Sequence, residues 1–355
     1  MSRFFSAKYQ TLVPYTPGEQ PKTKQEYIKL NTNESPFPPS DRAAAYAMDA
    51  AKHLELYPDP ECRILNEKLA RLYGLEKDEV LFTNGSDEIL NFAFMAFCDK
   101  EHPAIFADIT YGFYPVFANI NGIPYITVPL REDFTVDIEQ YFDAGGTVFL
   151  ANPNAPTGIA LRREQIEEIL LHNPDNVVVV DEAYVDFGAE SCVPLIRKYD
   201  NLLVTQTFSK SRSMAGARLG FGVGCRELIA DLNTVKYSTN PYNINSMTMA
   251  AGLGMLEDEV YTRRNCHTIM ENRAYTESEL KKLGFEMTDS MTNFIFAKHP
   301  RMDGEKLYQT LKERGILVRH FHAPRISDYN RITVGTRRQM ETLVTTLRQI
   351  LEENE

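Results

Sequence analysis

Val177-Val178-Val179-Val180-Asp181-Glu182-Ala183-Tyr184 is a run of four valines that ends in two carboxylates and a tyrosine. Four consecutive β-branched residues have no polar face, so the run reads as a strand buried on both sides, as in a parallel sheet covered by helices. In such sheets ligands bind in the crevice beyond the C-terminal strand ends. Asp181 at that end can hold a pyridine nitrogen protonated, and Tyr184 can hydrogen-bond a ring hydroxyl. An acid at a strand end also serves, about as often, as a cap of the next segment.

Outward from this strand, short apolar runs alternate with helical patterns. Val80-Leu81-Phe82-Thr83, Ala104-Ile105-Phe106-Ala107, Thr147-Val148-Phe149-Leu150, Leu202-Leu203-Val204-Thr205 and Leu219-Gly220-Phe221-Gly222-Val223 read as further strands. Glu88 to Cys98 and Arg162 to Leu171 read as helices. This alternation predicts an α/β fold with a mostly parallel sheet sandwiched by helices. The pattern changes after about residue 255. Glu257 to Leu283 reads as one long charged helix, followed by strands at Phe294-Ile295-Phe296-Ala297, Ile316-Leu317-Val318 and Arg331-Ile332-Thr333-Val334. Helices near Lys306 to Arg314 and from Arg337 complete a smaller α+β C-terminal domain. The expected organisation is an extended Pro-rich N-terminal arm over 1–40, a large domain over 41–255 and the small domain over 256–355.

One strand-length connection after Asp181 comes Thr207-Phe208-Ser209-Lys210-Ser211-Arg212-Ser213-Met214-Ala215-Gly216-Ala217-Arg218-Leu219-Gly220. A lysine among Ser, Gly and Ala, with an arginine eight residues on, is unlike an ordinary surface lysine. Its amine can form a Schiff base with an aldehyde, the chemistry that pyridoxal phosphate requires of a protein. Small neighbours let a flat ring approach the backbone, and Ser209 and Arg218 offer a hydroxyl and a cation to a phosphate.

Three further strand ends carry polar turns. Thr83-Asn84-Gly85-Ser86-Asp87-Glu88 opens a helix whose free backbone N–H groups can hold phosphate oxygens, although most such sequences are plain N-caps. The side chains of Asp87 and Glu88 oppose an anion, so its donors there must be backbone groups. Tyr111, in Asp108-Ile109-Thr110-Tyr111, can stack on a ring, but with 18 tyrosines in the chain packing is the commoner role. Asn152-Pro153-Asn154-Ala155-Pro156-Thr157-Gly158 is a turn by its composition, and its asparagines can donate to an aromatic hydroxyl.

The formal net charge of -11 argues against nucleic acid or an anionic membrane as partner, so an anionic ligand must be held by a local cluster of donors. Hydrophobic residues at 43% and charged residues at 25% are ordinary for a globular protein. Five scattered cysteines without a Cys-x-x-Cys pair fit reduced thiols, and no stretch near Met1 has the length of a signal peptide, so a cytoplasmic protein is expected. His320 and His322 can share a strand face as metal ligands, but the sequence offers no third ligand and no metal is expected.

Together these segments resemble the fold-type I pyridoxal-phosphate enzymes of the aspartate aminotransferase superfamily. The resemblance spans nearly the whole chain, from Leu30-Asn31-Thr32-Asn33-Glu34-Ser35-Pro36 to Arg331-Ile332-Thr333-Val334-Gly335-Thr336. The Thr-Phe-Ser-Lys-Ser-x-Ser-x-x-Gly-x-Arg string and Asp-Glu-Ala-Tyr carry it. Asn-Glu-Ser-Pro, Tyr57-Pro58-Asp59-Pro60, Gly-Ser-Asp-Glu and Gly315-Ile316-Leu317-Val318-Arg319 narrow it to the histidinol-phosphate aminotransferase branch.

The resemblance implies that Lys210 carries the cofactor covalently and moves the substrate proton, Asp181 pairs with the pyridine nitrogen and Tyr184 contacts the ring hydroxyl. It implies stacking by Tyr111 and phosphate binding by Gly85, Ser86, Asp87 (through its backbone), Ser209 and Arg218. Tyr57 would reach the cofactor of a partner subunit in a homodimer with shared sites. Asn33, Arg319 and Arg331 would hold the substrate's carboxylate or phosphate. One position departs from the superfamily pattern: where Asn usually precedes Pro-Thr-Gly, this chain has Ala155, which leaves Asn154, Asn152 or Tyr184 alone for the ring hydroxyl. The implied reaction is amino transfer between histidinol phosphate and 2-oxoglutarate. An aromatic aminotransferase, a threonine-phosphate decarboxylase or a non-catalytic regulator could be built on the same scaffold.

Overall fold

In a computed structural model, which describes residues 2–20 and 27–354, the valine run becomes the Val178–Asp181 strand in the interior of a seven-stranded sheet. Val178 and Val180 pack into one core cluster and Val179 into the cluster on the opposite face. Alternate side chains therefore find apolar cover on both sides, which is why the run needs no polar face.

The sheet order in space is Val80–Thr83, Gly220–Gly224, Leu202–Thr207, Val178–Asp181, Thr147–Ala151, Ala104–Ala107 and Tyr125–Val128. Every pairing is parallel except those of Gly220–Gly224, which runs antiparallel to both neighbours. The loop carrying Lys210 joins this reversed strand to Leu202–Thr207. The expected mostly parallel sheet is present, and each expected strand lies within two residues of its predicted position.

Helices Asp41–Ala50, Arg63–Tyr73, Tyr114–Asn121 and Arg226–Thr239 were not legible as such in the sequence. The Met249–Met255 stretch, which reads as helix core, lies within the helix Ser246–Leu256. Apart from Ser246 and Thr248 it is built of Met, Ala, Gly and Leu, so it has no polar stripe to mark its period. Its glycines allow close approach: a Cβ on Gly254 would lie 2.6 Å from Cα of Ala43 in the neighbouring Asp41–Ala50 helix.

The 24-residue helix Glu259–Lys282 leads into a four-stranded antiparallel sheet ordered Arg319–His320, Asn330–Thr333, Phe294–Lys298, Glu286–Met287. Helices Gly304–Glu313 and Arg337–Glu352 cover it, with Ile295, Ile332, Leu343 and Leu347 in its core. The end of the segment read as an extended arm is drawn into this unit. Ile28–Lys29 pairs in parallel with Ile316–Leu317, Leu30 joins the same core, and the Thr333 N–H donates to the Leu30 carbonyl at 2.9 Å. The expected single strand at Ile316-Leu317-Val318 thus divides into Ile316–Leu317, which pairs with the arm, and Arg319–His320, which pairs with Asn330–Thr333. No helix of the described residues is long and apolar enough to cross a membrane.

Candidate active site

Because the parallel strands end on one edge, their terminal residues and the first turns of the following helices converge there. A cavity of about 340 Å³ at this edge is lined by Lys210, Asp181, Tyr184, Tyr111, Ser86, Asp87, Ser209 and Arg218. Eight of the expected residues, distant in sequence, therefore meet in one place.

Asp181 lies at the bottom, 5% exposed. Its donors are all neutral: the Tyr114 hydroxyl at 3.1 Å, the Ala183 N–H at 3.2 Å and the Thr205 hydroxyl at 3.5 Å. Burial raises its carboxyl to about 6, against the stabilising hydrogen bond from Tyr114. A buried carboxylate facing a cavity without a cationic donor is matched to a cation supplied by a ligand. Its neighbour Glu182 points the other way and accepts from the Cys192 N–H, the Ser191 hydroxyl and the Gln206 amide, so it ties strand to loop.

Across the cavity, Lys210 Nζ donates to the Thr32 carbonyl at 3.2 Å and stands 5.7 Å from the Tyr184 ring centroid. The Tyr184 hydroxyl accepts from the Asn33 amide at 2.9 Å, and its ring meets Phe294 edge-on.

The anion-binding end is built from the start of the Ser86–Phe97 helix, Ser209 and Arg218. Gly85 caps the helix with φ 78°, and a Cβ there would lie 2.7 Å from the Arg218 guanidinium. A Cβ on Gly220 would lie 2.4 Å from the Ser86 nitrogen. Both glycines thus let the helix start, with its free N–H groups, crowd against the strand and the arginine. Arg218 donates to Ser209 Oγ at 3.3 Å and to Asp87 Oδ2 at 3.1 Å, while Tyr111 donates to Asp87 Oδ1 at 2.6 Å. The Asp87 side chain is thereby occupied as a tether for Arg218 and Tyr111.

A second cavity of about 400 Å³ shares Thr32, Tyr111, Ala155, Tyr184 and Lys210 with the first and continues to Asn33, Arg319 and Arg331. Arg331 donates to the Asn31 carbonyl at 3.2 Å and lies over the rings of Phe294 and Phe321, and its Nε is buried without a partner. Burial holds its guanidinium below the ordinary value. Arg319 is tied to the arm through the Thr16 and Pro17 carbonyls at 3.2 and 3.4 Å. Asn33, at φ 56°, is fixed by Thr333 on both its N–H and its side-chain oxygen.

The asparagines expected at a ring hydroxyl are arranged differently. The Asn154 amide donates to the Ile109 carbonyl and Thr157 Oγ1, and its oxygen accepts from Thr110, so the side chain braces the turn. Asn152 is likewise spent on Leu161. Ala155 itself lines the cavity, and Tyr184 is among the hydroxyl-bearing residues that line it. Tyr57 does not line either cavity; it is 81% exposed and stacks on Tyr242 at 4.6 Å. The sequence reading missed Tyr114, Thr205, Thr32 and Glu34. Tyr114 carries no local motif, and the Thr32 contact is made by a backbone carbonyl that any residue would supply.

The residues present fit pyridoxal phosphate, the cofactor implied by the resemblance. An amine, an unpaired buried carboxylate, an aromatic hydroxyl and an anion cradle surround one cavity of suitable size. The chain matches the family model for aminotransferase class I and II over residues 25–347. It is 46% identical to a histidinol-phosphate aminotransferase of Brachyspira hyodysenteriae over 99% of this chain and 100% of that protein. It is 49% identical to histidinol-phosphate aminotransferase 2 of Dechloromonas aromatica, with 99% of each chain covered. Among solved structures, a putative histidinol-phosphate aminotransferase from Erwinia carotovora atroseptica superposes with a TM-score of 0.86 at 28% identity, over 94% of this chain and 99% of that one. The Sinorhizobium meliloti histidinol-phosphate aminotransferase in complex with pyridoxal-5'-phosphate has the same fold, with a TM-score of 0.90 at 22% identity over 100% and 99% of the two chains.

Proposed function

The chain belongs to the class I and II aminotransferase family, and from that premise we propose that it is a pyridoxal-phosphate-dependent histidinol-phosphate aminotransferase. It interconverts histidinol phosphate and imidazole-acetol phosphate, with 2-oxoglutarate and glutamate as the second pair, in histidine biosynthesis. The observation that carries the cofactor assignment is the meeting of Lys210 and Asp181 in one cavity, the carboxylate buried and, among the described residues, held by neutral donors. The substrate assignment rests on the full-length likeness to histidinol-phosphate aminotransferases.

When bound, pyridoxal phosphate supplies a carbonyl that joins amines covalently and a cationic ring that draws electrons from the substrate's α-carbon. Asp181 would accept from the ring N–H and keep that nitrogen charged. Tyr184 would hydrogen-bond the ring hydroxyl, and Tyr111 would cover the ring. Ser86, Asp87 and their neighbours at the helix start offer backbone N–H groups to the phosphate, with the Ser209 hydroxyl and the Arg218 guanidinium beside them. Lys210 Nζ would be the attachment point for the cofactor and, as a free amine, would move the proton to and from the substrate α-carbon. A positioned proton carrier of this kind contributes roughly 10²–10⁴-fold in rate. Arg331 and Arg319 hold the substrate's anionic group at the mouth, and Asn33 positions Tyr184.

We read the enzyme as a homodimer in which Tyr57 completes the partner's site. Leu56, Tyr57 and Ile64 line an apolar groove and are 66%, 81% and 65% exposed, which fits a surface covered by a second copy of the chain. The five free cysteines suit a cytoplasmic setting. We likewise read 1–40, 41–255 and 256–355 as N-terminal arm, large cofactor-binding domain and small C-terminal domain.

The deciding experiment is a half-reaction screen. The purified yellow enzyme is mixed in turn with histidinol phosphate, threonine phosphate, phenylalanine and glutamate while the cofactor absorption is followed. Loss of colour with histidinol phosphate and with glutamate is the expected result. Silence towards histidinol phosphate overturns the substrate assignment and leaves the cofactor assignment intact; carbon dioxide release from threonine phosphate makes the protein a decarboxylase. Sedimentation of the native protein as a monomer would remove the shared-site reading.

A further inference from the structure

His320 and His322 alternate along the chain with Arg319 and Phe321, and it is Arg319 and Phe321 that line the substrate-side cavity. The two histidines are therefore left to the other side of this segment, where the Gly304–Glu313 helix begins. Glu305 in the first turn of that helix completes a cluster: one potential ligand atom from each of Glu305, His320 and His322 lies within 4.8 Å of the other two. The third ligand missing from the sequence is thus supplied by a helix that the strand pairing brings alongside.

We propose that Glu305, His320 and His322 form a binding site for a divalent transition-metal ion of the zinc class. Two imidazoles and a carboxylate select such an ion over magnesium or calcium, which prefer all-oxygen ligand sets. His320 is already oriented for the task. It is 9% exposed, stacked on the Tyr308 ring with centroids 5.9 Å apart, and edge-on to His322 at 5.0 Å. Its Nδ1 is buried and makes no hydrogen bond of good geometry among the described residues, although the Asn330 side chain stands beside it. A buried polar atom left in that state is unusual in a native interior and calls for a further partner such as an ion.

The geometry needs only a small closure. A tetrahedral zinc with bonds of about 2.0–2.1 Å sets its ligand atoms roughly 3.3 Å apart, so the exposed side chains of Glu305 and His322 would rotate inward by up to about 1.5 Å on an already fixed His320. Three protein ligands leave the fourth position to water. Because the site and the substrate cavity use alternate residues of the same segment, the ion occupies no position that the substrate needs.

The test is titration of the cofactor-loaded enzyme with Co²⁺, whose ligand-field absorption in a tetrahedral nitrogen–oxygen site lies to the red of the yellow cofactor band. One equivalent should develop that absorption, and Zn²⁺ should displace it. His322→Ala and Glu305→Gln change exposed side chains, and retained cofactor colour checks that each variant is folded. Each should weaken binding by at least the roughly 10–100-fold that loss of a mere supporting group causes at metal sites. No stoichiometric binding by the native holoenzyme would overturn the site. Equal affinity in either folded variant would overturn it too, since the ion would then be held elsewhere.

Discussion

Tyr114 donates its hydroxyl hydrogen to Asp181 at 3.1 Å, with both residues inside the sheet–helix interface and Tyr114 wholly inaccessible. Its own pKa is pushed well above the ordinary value, by burial first and then by Asp181, so it remains a neutral donor throughout the working pH range. Tyr114 thereby holds one carboxylate oxygen and orients the other towards Thr205 and Ala183. It touches no reacting atom and acts through Asp181. Replacing it with Phe removes one hydrogen bond to a charged group, an interaction of roughly 1.5–3 kcal/mol. Turnover should fall by about 10- to 150-fold with little change in KM, and the cofactor absorption should become pH-dependent at a higher pH than in the native enzyme. Native turnover in Tyr114→Phe would show that Asp181 needs no such support.

Asp181 also sets a pH dependence for cofactor capture. Burial raises it to about 6 in the cofactor-free protein, from an ordinary 3.8. A folded-state pKa raised in this way means that the cofactor-free fold loses stability as pH rises between those values, because the buried acid must then ionise. A cationic ring nitrogen beside the carboxylate reverses the preference and pulls the pKa down. This contribution to cofactor affinity is therefore complete above about pH 6 and is lost as pH falls through that value. Dissociation constants measured from about pH 5 to about pH 8 should show this component in the native protein and not in Asp181→Asn. Superimposable profiles would refute the pairing.

Lys210→Ala removes the attachment point and the proton carrier together. The yellow absorption of lysine-linked cofactor should vanish, and turnover should fall by at least the roughly 10²–10⁴-fold associated with a positioned proton carrier. Addition of a small primary amine should restore part of the lost rate. Full activity in the variant would remove Lys210 from the mechanism.

Arg331→Lys keeps a positive charge but loses the planar two-pronged donor set. The buried Nε without a partner identifies the hydrogen bond that a ligand is expected to complete. KM for the phosphorylated substrate should rise by about 10- to 150-fold, matching roughly 1.5–3 kcal/mol for a charged hydrogen bond. A variant with unchanged KM would direct attention to Arg319.

Gly220→Ala is a stability prediction. The added methyl group would meet the Ser86 nitrogen at 2.4 Å and the Gly85 carbonyl carbon at 2.5 Å, both backbone atoms that cannot rotate aside. Overpacking of this type costs about 1–3 kcal/mol. The melting temperature should fall, and cofactor affinity should fall with it, because the displaced helix start is the anion cradle. A variant as stable as the native protein would mean that the helix start shifts freely.

The sheet was legible because its inner strands carry short apolar runs, such as Leu202-Leu203-Val204 and Val148-Phe149-Leu150, bounded by polar or turn residues. Val177-Val178-Val179-Val180 advertises burial on two faces, and the chemistry is placed directly after it at Asp181 and Tyr184. Lys210 was legible for a related reason, since a lysine in a Ser/Gly/Ala loop has a composition that packing does not require. Asn154 misled because its residue type suits both a ring contact and a turn brace; only its bonds to Ile109, Thr157 and Thr110 distinguish the two.

What the sequence determined by itself is local: strand period, turn composition, and the residue types that chemistry demands at strand ends. Tyr114, the Thr32 carbonyl and the Glu305–His320–His322 cluster belong to the tertiary structure alone. Tyr114 reaches Asp181 across 67 positions of chain, and Glu305 meets His320 only because Arg319–His320 pairs beside the start of its helix. Such contacts depend on which elements pack together and at what rotation, and that is decided by the summed burial of whole faces, not by any pattern within the segments themselves.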